Sequence, residues 1–169
     1  MKPWKVAALS ALVLMLLMTW PFVRAIISPP TAAVESQLGG DFELVRQDGE
    51  TVALSALARE GGWLTFMHSD CGVACEDELA HLSAQTPLPI IVVSTNPEVD
   101  SPERLAQWLG SRAQIIGLTG SGQAVARVAA RYRLPISGTD ETLEYPLRWY
   151  QLGAAGSLIK LWPAGVVLD

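Results

Sequence analysis

Cysteine and histidine are scarce in this chain, with two of each among 169 residues. Any thiol or imidazole chemistry therefore rests on Cys71, Cys75, His68 and His81. Basic residues are also few, 12 against 17 acids, and three of them (Lys2, Lys5 and Arg24) fall in the first 30 residues, where there is no acid. The remainder carries 9 basic and 17 acidic residues, a formal balance near −8. Phosphate binding needs a basic surface, so nucleic acid is excluded as a partner. Internal repeats and low-complexity tracts are missing. No threonine stands three residues before the first cysteine; His68 takes that position, which argues against a peroxidase.

One long run is both apolar and free of charge. Lys2 and Lys5 precede Val6 to Val23, 18 residues without a charge. That length is near the lower limit for spanning a bilayer and longer than most signal-peptide cores. The expectation is a membrane anchor over residues 1–25, with its basic end in the cytoplasm and the bulk of the chain exported. Trp4 and Trp20 flank the run as interface anchors. No cysteine lies near it for lipid attachment, while Val23-Arg24-Ala25 offers cleavage as the alternative. The expected location is the inner membrane, single-pass, with the domain facing the periplasm; a cleaved, soluble periplasmic form is the alternative. Residues 26–38, with Pro29-Pro30, read as a linker, and 39–169 as one domain large enough to bury a core unaided.

Within that domain, Phe42–Val45 and Thr51–Leu54 flank an Asp48-Gly49 turn, a strong hairpin signal. Gly62–Met67 is a short apolar strand, Glu76–Leu82 suits a helix, and Pro89–Ser94 reads as a buried parallel strand. Ser101-Pro102 opens a helix with a cap and a first-turn proline, and Ala113–Leu118 gives another strand. Ser121–Tyr132 is helical, with Val125, Val128, Ala129 and Tyr132 on one face. Leu147–Leu152 and Ser157–Trp162 bracket Gly153-Ala154-Ala155-Gly156 as a closing hairpin. Strands alternating with helices predict an α/β sandwich of the thioredoxin kind, with a central mixed sheet and flanking helices. Trp63, Trp108 and Trp149 fall at core-like positions, and Tyr145, Trp149 and Tyr150 suit either packing or a partner groove.

Cys71-Gly72-Val73-Ala74-Cys75 follows the Gly62–Met67 strand, where working residues collect in such sheets. At i and i+4 on a first helical turn, the two Cα atoms would lie roughly 6 Å apart, within disulfide range. The same spacing lets two thiolates converge on one soft ion such as copper(I). A helix N-terminus favours the thiolate, whereas Asp70, Glu76, Asp77 and Glu78 crowd the pair with negative charge and oppose it. Cys71, ahead of the helix, is the expected nucleophile and Cys75 the resolving thiol. His68 is a candidate third metal ligand alongside Cys71 and Cys75, with hydrogen bonding to loop backbone as its ordinary role. His81 reads as a solvated or partly packed helix residue, and Met67 as a core residue. A structural disulfide in a partner-binding domain is the bland alternative.

At these residues the sequence resembles the Sco/SenC family of copper-handling, thioredoxin-like assembly factors. The likeness runs from Gly39 to Trp162. It is carried by Gly39-Gly40-Asp41-Phe42-Glu43-Leu44 with Asp48-Gly49, by Phe66 to Leu79, by Ser94 to Glu103, and by Ile115 to Tyr132. The resemblance implies an N-terminal membrane helix and copper held by both cysteines and a distant histidine. It also implies a role in assembling the binuclear copper centre of cytochrome c oxidase, with some members acting on thiols and disulfides instead. The implied partner is a protein client with cysteines or a copper site, such as a cytochrome oxidase subunit. Where the family places its distant histidine, this chain has Glu144-Tyr145-Pro146, so Tyr145 stands in the ligand's place. Phenolic oxygen is a poor copper(I) ligand. Pro146 resembles the proline that faces the cysteine pair in thioredoxins, where a cis bond is one of two open outcomes. A general periplasmic thiol-disulfide oxidoreductase is the second reading. The family's further C-terminal helix is not matched, so one sheet face is expected to be less covered.

Overall fold

Two strands with no polar side chain facing water organise the domain, and that is what a parallel pair at the centre of a sheet requires. In the computed structural model, which describes residues 38–138 and 143–168, strands β3 (Gly62–Met67) and β4 (Ile90–Ser94) are buried at every position. They pair in parallel, Trp63 opposite Ile90 through Met67 opposite Ser94, and β5 (Ile115–Thr119) extends the parallel set beyond β4. The chain divides into two units, Met1–Ser36 and Gln37–Asp169. The anchor expected over 1–25 and nearly all of the linker over 26–38 lie outside the described residues. Among the described residues no helix is long and apolar enough to cross a membrane.

Antiparallel hairpins close both edges. On one side β1 (Glu43–Arg46) pairs with β5 and with β2 (Thr51–Ala53); on the other β6 (Arg148–Leu152) pairs with β3 and with β7 (Leu158–Pro163). The resulting order is β2-β1-β5-β4-β3-β6-β7, a mixed seven-stranded sheet of the expected kind. Gly49 takes φ 87° in the first hairpin turn, a left-handed conformation that costs glycine little.

Period-two alternation sends neighbouring residues to opposite faces and makes two cores. Leu64, Phe66, Ile91, Val93 and Tyr150 pack on one face with Val125, Val128 and Ala129 of helix α4 (Gly122–Arg131). Trp63, Met67, Ile90, Val92 and Trp149 pack on the other with Leu79 and Leu82 of α2 (Val73–Ser83) and Leu109 of α3 (Pro102–Leu109). Ser101 and Ser121 cap α3 and α4 by accepting from Arg104 N and Ala124 N, each at 3.3 Å.

Three local features differ from the sequence reading. The strand after Asp48-Gly49 stops at Ala53, because Leu54 turns inward as the first residue of a four-residue helix, α1 (Leu54–Leu57), and is fully buried. Within the closing hairpin, Ala154–Gly156 is a 3-10 turn with Ala155 at φ 56°, which packs Gly156 against Leu54. Residues Gly165 to Leu168 fold back on α2. Val166 is buried, His81 donates a ring N–H to Val166 O at 2.9 Å, and Leu168 N donates to Gln85 Oε1 at 2.7 Å. That segment adds cover to the face on which α2 and α3 pack.

Candidate functional site

The chain leaves β3 at Met67, whose side chain is fully buried, and crosses the carboxyl end of the sheet through His68-Ser69-Asp70. Cys71 N donates to His68 O at 3.0 Å, closing a turn, and Gly72 takes φ 77° to start α2 at Val73. A side chain at Gly72 would meet no atom, so glycine is there for its φ and not for space. Cys75 sits in the first turn of α2 and Cys71 lies ahead of the cap, so only the second cysteine is on the helical turn. The i, i+4 spacing still sets the Cα atoms 5.9 Å apart, and the two sulfurs are joined as a disulfide. Cys75 is completely buried while Cys71 is half-buried, so Cys71 carries the reachable sulfur.

A polar network holds this loop from the neighbouring segments. Asp100, fully buried, accepts from Ser69 N at 3.3 and 3.2 Å and from Ser94 Oγ at 2.5 Å. Arg104, on the first turn of α3, donates from Nε to Ser69 Oγ at 2.7 Å and from Nη2 to Asp70 Oδ1 at 2.6 Å. These two residues were not singled out from sequence. The available signal was a polar Ser94 ending an all-apolar strand, followed six residues later by a carboxylate.

His68 meets side chains and not the loop backbone expected of it. Its Nδ1 lies 2.8 Å from Tyr145 Oη and 3.2 Å from Thr95 Oγ1, and the two rings meet edge-on at 5.7 Å. Tyr145 reaches this position because Ser137 and Glu144 exchange backbone hydrogen bonds at 3.0 and 2.8 Å, folding the chain back before β6. Burial pushes the Tyr145 hydroxyl above its ordinary pKa, against hydrogen bonds from Thr95 and the His68 backbone that pull it down. It is therefore a protonated phenol at neutral pH. No peptide bond among the described residues is cis, so Tyr145-Pro146 is trans.

His68, Asp70, Cys71, Cys75, Glu144 and Tyr145 line one cleft of about 430 Å³, with Leu143 and Leu147 among its walls. The structure thus brings together Cys71, Cys75 and His68, and it adds Tyr145 from across the sheet. Of the four acids that the sequence sets beside the pair, two are occupied. Asp70 is paired with Arg104, and Glu78 accepts from Trp149 Nε1 at 2.5 Å and from Gly165 N at 2.8 Å. Glu76 and Asp77 remain exposed on α2. Trp149 and Tyr150 are buried and belong to packing, whereas Trp108 is half-buried. With the disulfide closed, no group of three or more His, Cys, Asp or Glu among the described residues is placed to hold a metal ion.

The family model described as SCO1/SenC matches residues 30–164. The chain belongs to the SCO1/SenC family. Among curated proteins, the mitochondrial SCO1 homolog 1 of Arabidopsis thaliana is 29% identical over 120 residues, covering 65% of this chain and 36% of that protein. Sco1 of Schizosaccharomyces pombe is 24% identical over 145 residues, 75% of this chain and 55% of its own length. The chain therefore spans about a third to a half of these relatives. Among solved structures, ScoI of Arabidopsis thaliana with copper bound superposes with a TM-score of 0.69 at 24% identity, covering 76% of this chain and 89% of that one. ScoI of Bradyrhizobium japonicum with copper bound gives 0.66 at 22% identity, with 77% and 92% covered. The thioredoxin-like α/β architecture is thus shared with both.

Proposed function

We propose that this chain is an exported, membrane-tethered factor that assists assembly of the copper centre of cytochrome c oxidase through the Cys71–Cys75 dithiol, by reducing the cysteines of its client. The observation that carries the reading is a redox pair with one reachable and one buried sulfur, set at the carboxyl end of β3 in the cleft. Family membership and the SCO1 relatives support the copper-centre client, and Lys2 and Lys5 before Val6–Val23 support the tether with the domain on the periplasmic side.

In this reading the Cys71 thiolate attacks one sulfur of a client disulfide. The other client sulfur leaves as a thiolate and takes a proton from water, which leaves a mixed disulfide on Cys71. Cys75 Sγ then attacks Cys71 Sγ and releases the second client thiol. Two electrons pass to the client and the pair closes to the bond seen here; an exported dithiol reductant reopens it. The N-terminus of α2 supports thiolate at the attacking position.

The donor set also favours a second reading, copper(I) as cargo on the same two sulfurs. Soft thiolates suit that ion, and His68 is the one imidazole lining the cleft. Titrating the reduced full chain with copper(I) against a chromophoric chelator tests it, with Cys71→Ser and His68→Ala alongside. Binding no tighter than that of nonspecific thiols rejects the carrier and leaves the reductant. Reduction of generic exported disulfides as fast as those of an oxidase copper site instead favours a general oxidoreductase.

A further inference from the structure

The walls of the cleft carry charge of one sign. Asp70 and Glu144 line it, and among the described residues no Lys or Arg does. Arg104 offsets Asp70 at 2.6 Å, but the Glu144 side chain has no ion-pair partner among the described residues and is exposed. Outside the cleft, Val73 stands 71% exposed at the tip of α2, beside Cys71, with the exposed Asp77, which has no ion-pair partner among the described residues, one turn further on. An apolar tip next to the reactive sulfur, Leu143 and Leu147 in the wall, and uncancelled carboxylates on two sides make a seat for a chain segment and not for a small anion. The net charge near −8 beyond residue 30, 9 basic against 17 acidic residues, extends the same sign over the whole domain.

We infer that the segment this cleft accepts is a cysteine-bearing stretch of the client with lysine or arginine beside its cysteines. Glu144 is the residue that selects for that charge. The inference rests on the dithiol reading above and adds what the partner's reacting segment is made of. Complementary charge brings the client's sulfur to Cys71 by raising the encounter rate and suppressing acidic competitors. Val73 supplies apolar contact beside the sulfur that the client's cysteine approaches. The chemical step is unchanged: the pair gives two electrons to the client disulfide and becomes the Cys71–Cys75 disulfide.

Three oxidised peptides with one Cys-x3-Cys core, flanked by lysine, serine or glutamate, test this against the reduced full chain. Formation of the Cys71–Cys75 disulfide is followed by mass spectrometry at low and at high salt. At low salt the lysine peptide is expected to react about five-fold or more faster than the glutamate peptide, with the ratio falling below about two-fold when the charges are screened. Glu144→Gln is expected to reduce the low-salt ratio about two-fold. Equal rates for the three peptides, or a preference for glutamate, overturn the inference while leaving the dithiol reading intact. No reaction with any peptide overturns both.

Discussion

Replacing Asp100 with alanine isolates what holds the Cys71 loop in place. The carboxylate is fully buried and accepts from Ser69 N and Ser94 Oγ, with Arg104 Nε 3.9 Å away. Each donor left buried without an acceptor costs about 1–3 kcal/mol. Removing the carboxylate also relieves its own desolvation, which offsets part of the loss. The net expectation is about 2–4 kcal/mol, a large share of the 5–15 kcal/mol typical of a domain. Asp100→Asn keeps one acceptor oxygen and is expected to lose about half as much. Arg104→Ala breaks a pair whose arginine side chain is 45% exposed, and solvent screening limits that loss to under about 1 kcal/mol. Urea unfolding of the oxidised full chain measures all three by linear extrapolation. Hydrogen exchange at Ser69 N reports the local opening separately. A loss below about 0.5 kcal/mol for Asp100→Ala, with Ser69 protection unchanged, would refute the assigned role of the network.

Other predictions follow from single positions. All three tyrosines, Tyr132, Tyr145 and Tyr150, have their hydroxyls pushed above the ordinary range, foremost by burial. The folded chain should therefore show little tyrosinate absorbance at pH about 10, where the unfolded chain is half ionised. Because the folded values are raised, the linked stability is complete below the unfolded pKa and is lost as pH rises through the folded values. A normal midpoint near 10 in the folded chain contradicts this. Gly61→Ala combines φ 104° with a Cβ placed 2.8 Å from Leu152 O, and is expected to cost about 2–3 kcal/mol in thermal or urea unfolding. Gly40→Ala, at the same φ in open space, should cost about 1 kcal/mol. Tyr145→Phe removes the hydroxyl 2.8 Å from His68 Nδ1 and should cost about 1 kcal/mol while altering the His68 ring proton shifts in NMR.

Most of the fold was legible because local signals agreed with the global arrangement. Gly62–Met67 was placed to the residue, since a short run that is apolar but for Thr65, bounded by turn signals, suits a buried strand by its length. Ser101-Pro102 marked one helix start through its cap and proline, and the apolar face of Val125, Val128, Ala129 and Tyr132 marked the helix after Ser121. The short helix after Ala53 was not legible, because its cause is tertiary: Leu54 is drawn into the core and its N–H is taken by Phe42 O at 2.9 Å. At the site, spacing alone allowed Cys71 to pair with Cys75, and the structure joins them as a disulfide. The partnership of His68 with Tyr145 did not, because 77 residues separate them and only the fold-back at Ser137 and Glu144 joins them. The charge around the pair was over-read. A sequence shows that Asp70 and Glu78 are near, but not that Arg104 and Trp149 occupy them.

The central claim is that the Cys71–Cys75 pair does its work on the cysteines of a copper-site client. The direct measurement is a trap: the full chain with Cys75→Ser, produced in a cell that assembles cytochrome oxidase, analysed for disulfide-linked adducts by mass spectrometry. The account predicts an adduct from Cys71 to a copper-site cysteine of an oxidase subunit, absent when Cys71→Ser is added. It is contradicted if no such adduct forms and both single cysteine variants still support full oxidase assembly.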